Sequence, residues 1–189
     1  MMNPILQTLL TTDRELAYDG RQLTPHWIYR NFDLMGDAIV GFQGPCDVRL
    51  DHMVDLEDVK RQAPIYSPRM LHFIGEWFID SLDQGILLQH LFLCEVYETL
   101  LERGVKGLSR SANDIYQGEK KLSVSICTKS PVSILIHAGI NIHTEGTPVP
   151  TVGLVELGVA PAPFAQQVLE RFQFDYEVWR KSRVKVIPR

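Results

Sequence analysis

SANDIYQGEKKLSVSICTKSPVSILIHAGINIH, residues 111 to 143, is the stretch that decides the fold. It reads as three short strands joined by tight turns. Ala112 to Tyr116 is the first. Gln117-Gly118-Glu119-Lys120 then turns the chain, because glycine tolerates a positive φ. From Lys121 to Cys127 the pattern alternates: Leu122, Val124 and Ile126 fall on one face, and Lys121, Ser123 and Ser125 on the other. Thr128-Lys129-Ser130-Pro131 turns the chain again. Val132 to Ala138 is the third strand, closed by Gly139-Ile140-Asn141. Two polar groups bracket this apolar meander: Asn113 and Asp114 with Lys121, and the Gly139/Asn141 pair. A fixed cation among oxygen-rich side chains, beside a glycine that lets a ligand approach the backbone, suits an anionic substrate.

Upstream of this stretch lies the strongest helical pattern, Gly85 to Arg103, opened by the capping segment Asp80-Ser81-Leu82-Asp83. Ile86, Leu87, His90, Leu91, Cys94, Val96, Tyr97, Leu100 and Leu101 give it a broad apolar face. On that face Cys94 is expected as core packing and His90 as a satisfied core histidine. Before it, Met70 to Phe78 reads as a mostly apolar strand on which His72 and Glu76 share a face by period two. Downstream, Thr144 to Pro150 is a loop, Val152 to Val159 a further strand, and Ala162 to Arg180 a terminal helix with Phe164, Val168, Phe172, Tyr176 and Trp179 on its apolar side. Residues 181–189 form a basic, solvated tail.

Towards the N-terminus, Asp19-Gly20 between Arg14–Tyr18 and Arg21–Leu23 predicts a hairpin, so residues 1–23 form an N-terminal hairpin region. Thr24-Pro25 opens a helix, with Thr24 as cap, that runs past Trp27, Ile28, Phe32 and Met35 to Gly36. Asp37 to Phe42 reads as a strand leading into a loop, Gln43-Gly44-Pro45-Cys46-Asp47-Val48. Leu50 to Val59 carries Asp51, His52, Asp55, Glu57 and Asp58. These side chains could form a metal or acid–base cluster, but their spacing matches no known ligand set, and an edge strand with a solvated acidic face is preferred. No metal site is therefore assigned.

At 189 residues, 45% apolar and 22% charged, the chain is expected to form one domain with a substantial core. Its formal net charge of −4, from 19 basic and 23 acidic residues, argues against a general nucleic-acid or anionic-membrane binder. No apolar run reaches transmembrane length, and the first ten residues lack the features of a signal peptide. Three cysteines, Cys46, Cys94 and Cys127, fit a reducing, cytoplasmic setting better than a disulfide framework.

The central stretch resembles the catalytic core of the biotin- and lipoate-protein ligases. Those ligases typically read K-W-P-N-D-I-Y, a short turn, G-R-K-L-A-G, and then a strand ending G-I-N. Here Arg110-Ser111-Ala112-Asn113-Asp114-Ile115-Tyr116 stands for the first block, with Arg110 at the basic position and Ser111-Ala112 in place of Trp-Pro. Lys121 follows Asn113 by eight positions (121 − 113), the family's spacing for its catalytic lysine. Gly139-Ile140-Asn141 matches the third block, and the overlap runs over about residues 86 to 143. The whole chain also resembles an uncharacterised family with a G-P-C-D-V segment, here Gly44 to Val48, and an M-V-D-L-E-D segment, here Met53 to Asp58.

The ligase resemblance implies an α+β fold: a mixed, mainly antiparallel sheet with helices packed on one face. The contrast between short Ile/Val-rich strands and three helices supports that class independently. The resemblance also implies that Lys121 neutralises charge on a substrate carboxylate and an α-phosphate. Arg110, Asn113, Asp114, Gly139, Asn141 and Gly44 would bind substrate and nucleotide, with ATP and magnesium as cofactors and no redox group. Where those ligases carry a glycine- and arginine-rich loop, residues 44–48 supply one glycine, a proline and a cysteine. Related transferases use a thiol nucleophile without ATP, which brings Cys46 forward as a nucleophile and Cys127 as a second candidate, although an unreactive thiol is the preferred reading of both.

Two functions follow. One is an enzyme of acyl or acyl-adenylate transfer acting on a small carboxylic acid, with Lys121 as its central cation. The other is a non-catalytic module that kept the fold and pocket to bind a ligand or partner and lost the nucleotide loop. Expected partners are a small carboxylic acid or nucleotide, an acceptor protein and a second copy in a homodimer, but neither nucleic acid nor membrane.

Overall fold

The computed structural model describes residues 5–188. In chain order the strands are β1 (Gln7–Leu10), β2 (Ala38–Val48), β3 (Ile65–Trp77), β4 (Leu108–Ser111), β5 (Asp114–Gln117), β6 (Lys120–Lys121), β7 (Ser123–Lys129) and β8 (Ile134–His143). The helices are α1 (Trp27–Phe32), α2 (Leu56–Arg61), α3 (Leu82–Glu102) and α4 (Pro161–Ser182), with a 3₁₀ turn at Leu50–His52. Five strands form a sheet in the order β1-β2-β3-β8-β7. β1 runs parallel to β2 and the other pairs are antiparallel. A small antiparallel sheet, β4-β5-β6, carries the central motif. The architecture is α+β with a mainly antiparallel sheet.

Period-two alternation gives the large sheet two faces. Ile39, Leu71, Phe73, Trp77 and the β8 series Ile134, Ile136, Ala138, Ile140 and Ile142 point to one side. There they meet Leu88, Phe92, Leu93 and Val96 of α3 and Phe164, Val168, Phe172 and Tyr176 of α4. Phe92 stands edge-on to both Phe73 and Phe172, with centroids 4.9 and 5.2 Å apart, the geometry aromatic quadrupoles favour. Ser81 caps α3 by accepting from the Gln84 amide at 3.2 Å. Pro161 lies in the first turn of α4, where its missing N–H costs nothing.

The opposite face packs a second cluster, including Val40, Phe42, Cys46, Met70 and Ile74, against Ile28 of the short α1. Helices therefore lie on both faces, with the two long ones on one side. Glu76 is buried on this second face and accepts the backbone N–H of His26 through both carboxylate oxygens, at 2.9 and 3.0 Å. Ser133 Oγ also donates to it, at 2.6 Å. This carboxylate is why α1 begins after His26, at φ 62°, rather than at the expected Thr24: a fixed anion satisfies an amide at the helix start.

Residues 14–23 do not form a hairpin. Instead the chain runs along β2, with Leu16 N–H donating to the Gln43 carbonyl at 3.0 Å, Tyr18 N–H to Pro45 at 2.9 Å, and Asp47 N–H to Tyr18 at 3.0 Å. Residues 44–48 are not a loop but the second half of β2, paired with β3 across a register shift between Gly44 and Cys46. Leu50 to Val59 is a 3₁₀ turn and helix α2 rather than an edge strand, because Asp55 caps α2 by accepting from the Glu57 and Asp58 amides. Gly139-Ile140-Asn141 lies inside β8. Val152 to Val159 is no strand: Leu154 N–H bonds the Asn141 carbonyl at 2.8 Å, and Glu156 accepts from Gly153 N–H at 3.1 Å, folding the segment over β8.

On α3 the buried face is Leu88, Gln89, Phe92, Leu93, Glu95, Val96, Thr99 and Leu100, while Ile86, Leu87 and Leu101 face outward. Two of the polar members, Gln89 and Glu95, are held by partners from other elements. Gln89 donates to Ser125 Oγ at 2.7 Å, and Arg171 of α4 pairs with Glu95 at 2.7 Å. The hydropathy of one helix does not encode those partners.

Candidate functional site

A cleft of about 370 Å³ opens on the second face of the sheet, between the β5–β7 region and residues 52–61. Its apolar wall is Met53, Ile65, Val124 and Ile126; Lys121, Asp114, Asp58 and Arg61 supply the charge; Cys46, His137 and Tyr18 are its most buried lining residues. The alternation of β7 is thus turned over relative to the sequence reading. Val124 and Ile126 line the cleft, while Ser125 receives the Gln89 amide of α3, and Cys127 packs beneath α3, against Gly85.

Lys121 is gripped through its backbone. Its N–H donates to the Pro150 carbonyl at 3.0 Å, and its own carbonyl accepts from Val152 N–H at 3.1 Å and Asn141 Nδ2 at 3.3 Å. Pairing with Tyr116 across β5–β6 completes the frame. The ammonium pairs with Asp114 Oδ2 at 2.9 Å, and both side chains are mostly shielded from solvent. Asp58 also faces this charge. Burial first, then the Asp55 carboxylate, pushes its acid up, and Lys121 pulls it back.

Asn113 acts on the frame. Its Nδ2 donates to the Ser125 carbonyl at 2.8 Å while Ser125 Oγ donates to the Asn113 carbonyl at 2.9 Å. This reciprocal pair fixes the β4–β5 turn to β7. Asn141 is buried and acts through the Lys121 carbonyl rather than as part of the cleft lining. Gly139 lies beneath the lining, where a Cβ would stand 3.1 Å from Met70 Sδ and 3.2 Å from Val124 Cγ2. Arg110 points away: its guanidinium meets His90 Nδ1 of α3 at 3.1 Å, so the structure does not bring it to the cleft.

Two features at the buried lining lay outside the sequence reading of the site. His72 and His137 are buried side by side, His72 Nδ1 lying 3.1 Å from His137 Nε2 and His72 Nε2 lying 3.2 Å from the Gly44 carbonyl. Burial pushes the His72 imidazolium down to about 4. His137 is also held well below its ordinary value, by burial and then by His72. Tyr18 stacks on His137 with centroids 3.7 Å apart. A histidine at an inward position of an Ile-rich strand was the available signal for His137. Tyr18 had none, since only the parallel run along β2 brings it in.

The model of the family described as a domain of unknown function, DUF366, matches residues 7–187. The chain belongs to the DUF366 family. An uncharacterized protein of Methanocaldococcus jannaschii is 36% identical over 160 residues, which cover 82% of this chain and 72% of that one. A solved protein of unknown function from Pyrococcus horikoshi is 38% identical, with a TM-score of 0.94 and coverage of 97% and 99% of the two chains. A mutant of the Aquifex aeolicus biotin protein ligase, solved in complex with biotin, is 17% identical, with a TM-score of 0.61 over 93% of this chain and 72% of the ligase. This DUF366 protein therefore has a ligase-like fold.

What DUF366 residues 44–48 do within that fold is different from the nucleotide role expected of Gly44. Gly44 gives its carbonyl to His72, and a Cβ on it would lie 2.0 Å from the Leu16 carbonyl oxygen. The glycine is there for close backbone packing. Neighbouring Asp47 spends its amide on Tyr18, and residues 46–48 are paired with β3. A strand so committed does not fit a phosphate cradle, which needs inward-pointing free amides. Cys46 is fully buried in the same strand, and burial pushes its thiol up to about 12, a poor setting for a nucleophile. Burial likewise pushes Cys127 up to about 11. Among the described residues no group of three or more His, Cys, Asp or Glu side chains could hold a metal ion, so the acidic segment 51–58 assembles no such site. No described helix is long and apolar enough to cross a membrane.

Proposed function

We propose that the cleft binds a small carboxylic acid with its carboxylate at Lys121 and its carbon chain against Val124, Ile126, Met53 and Ile65. The single observation that carries this reading is the Lys121 ammonium, backbone-framed and shielded, on the rim of a concavity with an apolar wall. Asp114 holds the cation in place at 2.9 Å, and a ligand carboxylate would share or displace that partner. In a shielded site such a charge-assisted contact outweighs the same contact in water.

Turnover is the second reading, favoured by the Asn113-to-Lys121 spacing shared with the ligases. Against it stand the paired strand at residues 44–48 and the sealed Cys46 thiol. Binding without acyl transfer is the simpler function for this arrangement. The test is thermal unfolding with octanoate, lipoate or biotin, with and without ATP and magnesium, on the intact chain and on Lys121→Ala. The acid stabilises the intact chain by mass action and leaves the variant unmoved. Pyrophosphate release that disappears in Lys121→Ala would establish the ligase reading instead; no response to any acid would refute carboxylate binding.

A further inference from the structure

The two buried histidines form a hydrogen-bond chain whose direction is fixed by chemistry. A carbonyl oxygen only accepts, so His72 Nε2, 3.2 Å from the Gly44 carbonyl, carries the proton. In neutral His72, Nδ1 is then an acceptor. The atom facing it at 3.1 Å, His137 Nε2, must be a donor. His137 has one nitrogen left. Its Nδ1 carries a lone pair, and no described residue hydrogen-bonds to it.

The ring of His137 is only 3% exposed and lines the cleft, so the exposure it keeps is on the cleft side. Tyr18 stacked at 3.7 Å and the bond to His72 hold the ring in one orientation. A buried acceptor with no protein donor is a specificity element, because a ligand that cannot fill it leaves it unpaired.

We infer that His137 Nδ1 accepts a hydrogen bond from an N–H or O–H group of the ligand, so that the natural acid carries a neutral donor in addition to its carboxylate. A plain fatty acid would satisfy Lys121 alone. This inference rests on the proposed carboxylate site and adds the chemical class of the ligand's second group.

The experiment uses the full chain and two readouts. Calorimetric titration compares octanoate with 8-hydroxyoctanoate, and lipoate with biotin, the second of each pair bearing the donor. At least one donor-bearing acid is expected to bind about tenfold or more tightly than its partner. His137→Phe, which keeps a ring to stack on Tyr18, should abolish that preference. The second readout needs no variant. Nitrogen-15 spectra of histidine-labelled protein should show His137 protonated at Nε2 and bare at Nδ1, and ethylene urea, a donor without a carboxylate, should shift the Nδ1 resonance in both wild type and Lys121→Ala. If no acid binds but ethylene urea still moves Nδ1, the carboxylate reading fails and the donor site stands. Equal affinities within both pairs, a proton on His137 Nδ1, or an Nδ1 resonance indifferent to ethylene urea would each overturn the inference.

Discussion

The two faces of the five-stranded sheet are built from the same strands yet obey different rules. Towards α3 and α4 the strands offer aliphatic and aromatic side chains that interlock across the layer. Towards α1 the same β2, β3 and β8 offer Cys46, His72, Glu76, His137 and Asn141. Most of those polar groups have specific partners: Glu76 has His26 and Ser133, His72 has Gly44, and Asn141 has the Lys121 carbonyl. The helical face carries stability through packing, and the other holds polar groups whose positions have to be specified one by one.

The largest expected effect breaks the first face. Phe172→Ala removes a ring seated among Trp77, Phe92 and Tyr176 and should cost about 3–5 kcal/mol in urea unfolding. A loss under about 1 kcal/mol would mean that this face is not the main source of stability.

Acid tests the second face. The folded-state value of His72 lies at about 4 against 6.5 for the free side chain. The unfolded chain therefore binds that proton first. Stability is complete above pH 6.5 and falls as pH drops towards 4, by on the order of 3 kcal/mol for this group. His137 acts in the same direction. Urea titrations between pH 7 and pH 4.5 should show this slope, and His72→Phe should flatten it; an identical slope in the variant would remove the histidine from the account.

Glu76→Gln keeps the shape but removes the anion that holds the His26 amide and turns one accepting oxygen into an NH2 group. It should cost about 1–3 kcal/mol, with helix α1 loosening first in hydrogen exchange. The least change in stability is expected at Lys121→Ala, within about 1 kcal/mol for a partly exposed ion pair, although every acid-induced shift in unfolding temperature should vanish. A large loss of stability there would make Lys121 a structural residue and blur the contrast between the faces.

The fold class and the long helices were legible because their signals are local: Ile- and Val-rich short strands, the cap at Ser81, and apolar spacing at Phe164, Val168, Phe172 and Tyr176. The three strands read over residues 112–138 are instead β5 to β8, divided between two sheets. The face of α3 was not legible, because Glu95 and Gln89 are buried through partners on α4 and β7. Residues 44–48 read as a loop from their glycine and proline. They are a strand because the Leu16–Tyr18 segment lies against them, a pairing between distant parts of the chain. Of the cleft, the motif spacing placed Lys121, Asp114 and Asn113 together. It misplaced Arg110, whose alternation puts it over α3, and it gave no hint of Tyr18.

The Leu16–Tyr18 segment does two jobs at once. It shields the outer side of the second half of β2, and it delivers Tyr18 to the ring of His137. Stripping it away would bare unpaired strand groups, an invitation for another chain to dock there, in the same act that dismantles the buried lining of the cleft. Aggregation and loss of ligand binding should therefore arrive together in any variant that detaches it, and an occupied cleft should slow both.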